Sequence, residues 1–220
     1  EDEATALCGI AYYADVKFPE AFRKNFFIGD AFKSRVHRYS WEFKGSSPVG
    51  KSEEDFVKSA DPWFRPVNVK MGPDGAIYVA DFYNAIIGHY EVPLGHPKRD
   101  KQRGRIWRIT YKGDHNEKKD LTKASLDELI EALKLDNIVM RMNAADQIAD
   151  RIGPAAVPSL KSLIADKSTT PQQYVHALWL LFRLNDLNDD LLKGSLTNTN
   201  ALIRLHSFRI LAEGKRDVQT

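Results

Sequence analysis

The stretch from Phe64 to Gly113 constrains the fold more than any other, because it spells out a run of short strands together with their turns. Pro66-Val67-Asn68-Val69-Lys70-Met71 alternates in polarity, as a half-buried strand does. Gly72-Pro73-Asp74-Gly75 is a turn with a mechanism, since proline presets the bend and glycine accepts the positive φ that closes it. Ala76 to Asp81 then reads as a buried strand, Ile86 to Val92 as a third and Arg105 to Tyr111 as a fourth. Four consecutive antiparallel strands of this length predict one blade of a β-propeller.

A second blade lies upstream. Phe27-Ile28-Gly29-Asp30 with Tyr39 recurs as Tyr78-Val79-Ala80-Asp81 with Tyr90, at an offset of 51 residues in each case. A period of that size suits propeller blades better than solenoid turns. The first copy is predicted to hold strands over Thr5 to Tyr13, Phe26 to Ala31 and Arg35 to Phe43, with an outer strand within the polar segment Gly45 to Asp61. A blade covers its faces by stacking on neighbours, so two blades are expected to be the tail of a longer ring and to need the remainder of the propeller as partner. Alone, such a piece is expected to associate through its uncovered sheet edge.

At Gly113 the pattern changes period. Asp114 to Ala124 reads as a linker, charged at its start, and from Ser125 onward apolar residues fall at helical spacing, as in Leu126, Leu129, Ile130 and Leu133. Ser125 with Glu128 three residues on forms a capping box. The helical part also repeats: segments 141–148, 174–181 and 204–211 align with the small residues Ala144, Ala177 and Ser207 in register. Second amphipathic segments at 155–164 and 189–196 complete helix pairs, which predicts an α-α solenoid. The expected organisation is therefore multidomain β plus α: propeller blades over 1–113, a linker over 114–124 and helical repeats over 125–220. The last predicted helix is Asn200 to Glu213, and the repeat either ends there or runs on past Thr220.

Composition narrows the function classes. The formal net charge of +2 on 220 residues carries no global bias towards nucleic acid. The longest purely apolar run, Ala177 to Phe182, is far shorter than the roughly 20 residues of a bilayer helix. A single cysteine, Cys8, excludes an internal disulfide, a cysteine-rich zinc site and the Cys-x-x-Cys-His of covalent haem. The sequence opens with Glu1-Asp2-Glu3 without a basic or apolar leader segment, so any export signal is expected to have been removed or to lie outside this sequence.

The candidate site residues gather around the second copy. Asp30 and Asp81 both end buried strands, where a carboxylate serves as a base, a metal ligand or a turn anchor; their equivalence favours the anchor, which accepts backbone N–H bonds. Asp81, Tyr83, Asn84 and His89 form a dense polar cluster at a propeller mouth and make up a candidate pocket rim. Arg65 sits among Trp63, Phe64 and Pro66, where a fixed guanidinium grips an anion bidentately or else stacks on Trp63 and pairs with Asp61. Lys33, in the turn of the first copy, reads from the sequence alone as a surface lysine. The basic run Lys98 to Arg103 reads as a solvated loop with phosphate gripping as the alternative, and His176 and His206 as packing or groove residues. No metal site, phosphate loop or catalytic triad emerges.

Cys8-Gly9-Ile10-Ala11-Tyr12-Tyr13, Phe18-Pro19, Phe27-Ile28-Gly29-Asp30 with Val36-His37-Arg38, Trp63-Phe64-Arg65-Pro66-Val67 and Gly72 through Asp81 together resemble the closing blades of the soluble quinoprotein sugar dehydrogenase propellers. The likeness is closer to the bacterial membrane-bound dehydrogenase family of that superfamily, in which a strand similar to Gly104-Arg105-Ile106-Trp107-Arg108 runs into HEAT-type helices. The resemblance implies a PQQ-type sugar or alcohol dehydrogenase-like parent, an oxidoreductase in the periplasm or outside the cell. In the quinoprotein glucose dehydrogenases an Arg-x-Arg and a lysine hold the carboxylates of pyrroloquinoline quinone (PQQ). Arg65 matches the second arginine, Trp63 stands in place of the first, and Lys33 matches the lysine with one residue of slippage. The general base and the calcium ligands belong to earlier blades, so this piece alone is expected to be inactive. The rival expectation is a non-catalytic glycan- or protein-binding propeller, and on either reading the helical repeats are expected to dock a protein partner.

Overall fold

The computed structural model describes residues 6–88, 92–112 and 119–214. The chain divides into two compact units, Glu1–Lys118 and Lys119–Thr220, one built of antiparallel sheet and the other of helices. This is a mixed β and α chain.

In the first unit, β1 (Leu7–Tyr12), β2 (Phe26–Asp30), β3 (Arg35–Lys44) and β4 (Ser47–Ser52) form an antiparallel meander, and β5 (Val57–Lys58) pairs back onto β3 at Arg35 and Val36. A second antiparallel sheet holds β6 (Pro66–Met71), β7 (Ile77–Asp81) and β8 (Arg105–Ile109) in that order. The two meanders share a register: Asp30 faces Arg35 and Ile28 faces His37, while Asp81 faces Arg105 and Val79 faces Trp107. Both first strands are bulged, β1 between Cys8 and Ile10 and β6 between Pro66 and Asn68.

Strand β6 lies against β1 and β2. Glycine makes that approach possible: a Cβ on Gly29 would stand 2.6 Å from the Pro66 carbonyl oxygen. Tyr13, Phe18 and Phe27 pack with Phe64, Val69, Ile77 and Val79 into one apolar core drawn from both sheets. The Tyr13 hydroxyl ties them further, donating to the Gly75 carbonyl at 2.7 Å and accepting the Phe18 N–H at 3.2 Å.

The strand expected over Ile86 to Val92 differs from what is found. Residues 86–88 form no strand, 89–91 lie outside the described residues, and β8 pairs directly with β7. The reason is local: the Ile86 N–H turns back to Asn84 Oδ1 at 3.2 Å, and an Asp81–Arg105 ion pair holds β8 against β7. The fourth strand of the prediction therefore takes the third place.

The helical unit contains α1 (Leu126–Ala132), α2 (Ile138–Gln147), α3 (Val157–Ala165), α4 (Pro171–Arg183), α5 (Asp189–Leu196) and α6 (Ala201–Glu213). All of these helices but α3, which follows Ala156, begin at an oxygen-bearing cap. Ser125 with Glu128 and Thr170 with Gln173 make complete capping boxes, and Asn137, Asn188 and Asn200 cap α2, α5 and α6. Helix α1 packs on α2, α3 on α4 and α5 on α6, while α4 also contacts both α2 and α6. Ala144, Ala177 and Ser207 lie on α2, α4 and α6, and each is 0% exposed, so the small residues sit where the helices meet. No helix among the described residues is long and apolar enough to cross a membrane.

Candidate functional site

Asp81 ends β7 with its side chain buried, and both carboxylate oxygens are engaged. Oδ1 accepts the backbone N–H groups of Arg65 at 2.8 Å and Tyr83 at 2.9 Å, which holds the turn after β7. Oδ2 accepts Nε of Arg105 at 2.7 Å and the Trp107 indole N–H at 3.0 Å. The β7–β8 register sets this up, because Arg105 stands opposite Asp81 and Trp107 is two residues further along the same face.

Arg105 extends the network outward. Its Nη2 donates to Asp61 Oδ2 at 3.0 Å, and its guanidinium carbon lies 3.8 Å above the Tyr83 ring centroid. Burial opposes the charge on Arg105, but the bonds to Asp81 and Asp61 outweigh it and raise its pKa. Asp61 is held below the usual carboxylate range, first by the Trp63 backbone N–H and then by Arg105. Tyr83, at a left-handed φ of +50°, brings its ring against Trp63 with centroids 5.3 Å apart.

Arg65 spans the turns of the two sheets. Its Nε donates to the Asn84 carbonyl at 2.9 Å and its Nη2 to the Ala85 carbonyl at 3.3 Å. Nη1 crosses to the β2–β3 turn, reaching the carbonyls of Ala31 and Phe32, both at 3.0 Å, and the Ser34 hydroxyl at 3.2 Å. Burial lowers the Arg65 pKa, against the pull of Asp61 and Asp81. With every guanidinium nitrogen donating to a protein oxygen, a bidentate grip on a free carboxylate would require breaking these bonds. This arrangement does not fit a carboxylate clamp for a quinone.

The other expected residues fall in the same neighbourhood. Lys33 lies in the β2–β3 turn that receives Arg65, and its backbone N–H donates to Asp30 Oδ1 at 2.9 Å. Asp30 thus anchors its turn as Asp81 does, also accepting the Phe32 N–H at 3.0 Å. Asn84 is buried and structural in its contacts: its N–H donates to the Trp63 carbonyl at 3.0 Å and its side-chain amide to the Asp100 carbonyl at 2.8 Å. His89 lies outside the described residues. Arg65, Asp81, Tyr83 and Asn84 are brought together at one end of the second sheet, with Lys33 in the turn across from them.

One cluster escaped the sequence reading. His37 is buried between two carboxylates, its Nδ1 2.9 Å from Asp55 Oδ1 and its Nε2 3.3 Å from Asp30 Oδ2, and Arg35 meets Asp55 at 3.0 Å. The hairpin register was the available signal, since pairing Asp30 with Arg35 puts His37 on the aspartate's face. Among the described residues, no group of three or more His, Cys, Asp or Glu is placed to hold a metal ion.

Residues 1–113, more than half of the chain, match the family described as a domain of unknown function, DUF7133. The chain belongs to the DUF7133 family. The DUF7133 part therefore contains both sheets and the whole Asp81–Arg65 network. No curated protein matches the chain. Two solved structures described as glucose dehydrogenases are similar to it, each with a TM-score of 0.31, at 22% and 23% identity over 48% and 49% of this chain. The chain spans about a quarter of the length of those proteins, 25% and 24% respectively.

Proposed function

We propose that the DUF7133 part forms two neighbouring blades of a β-propeller in a sugar or alcohol dehydrogenase-like protein, followed by HEAT-like repeats that dock a protein partner. One observation carries the blade reading. Asp30 and Asp81, 51 residues apart, occupy the same station in two meanders of matching register, and each holds its turn through Oδ1 and faces the next strand through Oδ2. The inner strands β1 and β6 lie against each other, as adjoining blades require. The series α2, α4, α6 with buried small residues supports the repeat reading of the helices.

The redox assignment rests on the resemblance of the strand sequences to quinoprotein sugar dehydrogenases, as does an extracytoplasmic location. In this reading the chain's own residues brace the blades, and the quinone, its calcium and the general base belong to other parts of the parent. Arg65, committed to backbone carbonyls, is not the residue that would hold the quinone. The same commitment favours a second reading, a propeller that recognises a carbohydrate or protein without oxidising it. The test is titration of the full-length parent with PQQ at saturating calcium, followed by sugar-dependent reduction of a dye. Quinone uptake with dye reduction supports the dehydrogenase; its absence at saturation overturns that assignment and leaves the recognition module.

A further inference from the structure

The two sheets of the β unit stack so that one face of each stays uncovered. In the first sheet Phe27, Gly29 and Val36 share a face, since Gly29 lies two residues from Phe27 and opposite Val36. That face receives the second sheet: Phe27 and Val36 are 0% exposed in the core shared by both, and Gly29 lies against the Pro66 carbonyl. The face turned towards it carries Val69, Ile77 and Val79, each likewise 0% exposed. Because the two meanders share a register, every one of these stations has a counterpart in the other sheet.

The counterparts are open. Val69, Val79 and Ile77 correspond to Ile10, Ile28 and Phe26 of the first sheet; Ile10 is 56% exposed, and neither Ile28 nor Phe26 is buried. In the second sheet Phe27, Gly29 and Val36 correspond to Tyr78, Ala80 and Ile106, and Ile106 is 77% exposed where Val36 is fully covered. The chemistry matches station by station: a ring for a ring, a small residue for a small one, a branched aliphatic chain for another. Arg108 stands opposite Tyr78 as Arg38 stands opposite Phe27. Ala80 brings a methyl group where glycine admits bare backbone, which sets this second seat wider, and Tyr78 and Ile106 are each larger than the residue they replace. Lys70 is the departure, standing where Ala11 does; its stem can cover apolar surface while its charge stays in water.

We infer that the two open faces fit each other across copies, with Tyr78, Ala80 and Ile106 of one chain packing on Ile10, Phe26 and Ile28 of the next. The contact repeats the one already made inside the chain. It is head to tail, so it closes into a ring or runs on as a filament. Propellers close with roughly 4–8 blades, so a ring would take about two to four chains of two sheets each. This deepens the blade reading of the proposed function and rests on it. It differs from pairing of strand edges, which would use backbone groups and not these side chains.

The experiment is analytical ultracentrifugation of the full chain from about 1 to 200 μM, where association with a midpoint below about 100 μM is expected. Ile10→Asp and Ile106→Asp, both at exposed positions, should each weaken association at least about tenfold with circular dichroism unchanged. Should either aspartate lower the melting temperature, Ile10→Ser and Ile106→Ser serve in its place. An equimolar mixture of the two variants should then give a dimer and nothing larger, because each supplies the face that the other has lost. A chain monomeric at about 200 μM, association indifferent to either substitution, or a mixture that stays monomeric would each overturn the inference. Melting of Gly29→Ala reports the contact inside one chain. A monomeric chain in which that variant is destabilised loses the second copy and keeps the blades, whereas a harmless Gly29→Ala removes the blade reading itself.

Discussion

The Asp81 carboxylate accepts Nε of Arg105 at 2.7 Å while its side chain is completely shielded from solvent, at 0% exposure against 29% for the arginine. The same carboxylate holds two backbone N–H groups and the Trp107 indole, so its removal strands four donors at once. Asp81→Ala is expected to destabilise the β unit by about 3–5 kcal/mol, the usual result of deleting one partner of a buried pair. Asp81→Asn should lose most of this too, because its amide presents a donor to donors. Urea unfolding followed by tryptophan fluorescence measures both, and an Asn variant as stable as the parent would refute the account.

Arg65 makes a second, separable prediction. Its guanidinium joins the carbonyls of Ala31 and Phe32 to those of Asn84 and Ala85, a geometry that one ammonium cannot reproduce. Arg65→Lys should therefore cost about 2–3 kcal/mol and speed hydrogen exchange in the turns at 31–34 and 82–86. A variant with unchanged stability that loses quinone uptake in the full-length parent would show instead that the side chain serves a cofactor.

These two residues also mark what could be read in advance. Local features were legible: the Gly72-Pro73-Asp74-Gly75 turn closes with Gly75 at a φ of +73°, the Ser125 capping box forms, and Ala144, Ala177 and Ser207 are all buried. Each depends on chain neighbours or on one helical period. The partners of Arg65 and Arg105 were not legible, because they lie 16 or more residues away and are chosen by sheet register. The strand expected over 86–92 is absent from residues 86–88 for a reason that is partly local: Asn84 captures the Ile86 N–H two residues on, while the Arg105 pairing fills the place beside β7. Only that pairing is a tertiary contact overriding a local preference.

Close approach of the two sheets is tested at Gly29. A methyl group there would meet the Pro66 carbonyl oxygen at 2.6 Å and the Cys8 carbonyl oxygen at 3.0 Å, and backbone on both sides leaves little room to yield. Gly29→Ala should destabilise by about 3 kcal/mol. Gly50→Ala, whose Cβ would find its nearest neighbour at 4.0 Å, should change stability by no more than about 1 kcal/mol. Equal melting of the two variants would remove the β2–β6 contact from the fold.

Acid lability follows from Asp74. Burial works to raise its pKa, but Arg108 at 2.7 Å, the Tyr78 hydroxyl at 2.9 Å and the Ala76 N–H together hold it below the usual carboxylate range. A depressed folded pKa gives stability that is complete above the unfolded value, about 3.9, and is lost as pH falls through the folded one. Asp74→Asn should accordingly remove stability at neutral pH and flatten the decline below about pH 4. Urea midpoints across that range, wild type against variant, decide it; parallel profiles would reject the assignment.

The helical unit should weaken at a higher pH, through His176 on α4. Burial first, then the positive charge of Arg141 and His206, push its pKa from 6.5 down to about 4, so the folded unit holds this imidazole neutral. Below pH 6.5 the unfolded chain takes up the proton first, and stability falls with pH until about 4, where the contribution is gone. The whole step amounts to about 3 kcal/mol. His206 shifts downward as well, through burial and Arg209, and accepts the Trp179 indole N–H on Nδ1 at 3.0 Å, so it adds to the same acid slope. His176→Gln should leave only that smaller slope between pH 6.5 and 4. Helical circular dichroism during urea unfolding reads the profile, and the His176 ring resonances read the titration directly. A stability flat from pH 7 to about pH 5, or a variant with the wild-type slope, would mean that this histidine is charged in the fold and that the α2, α4 and α6 surfaces around it are open to water.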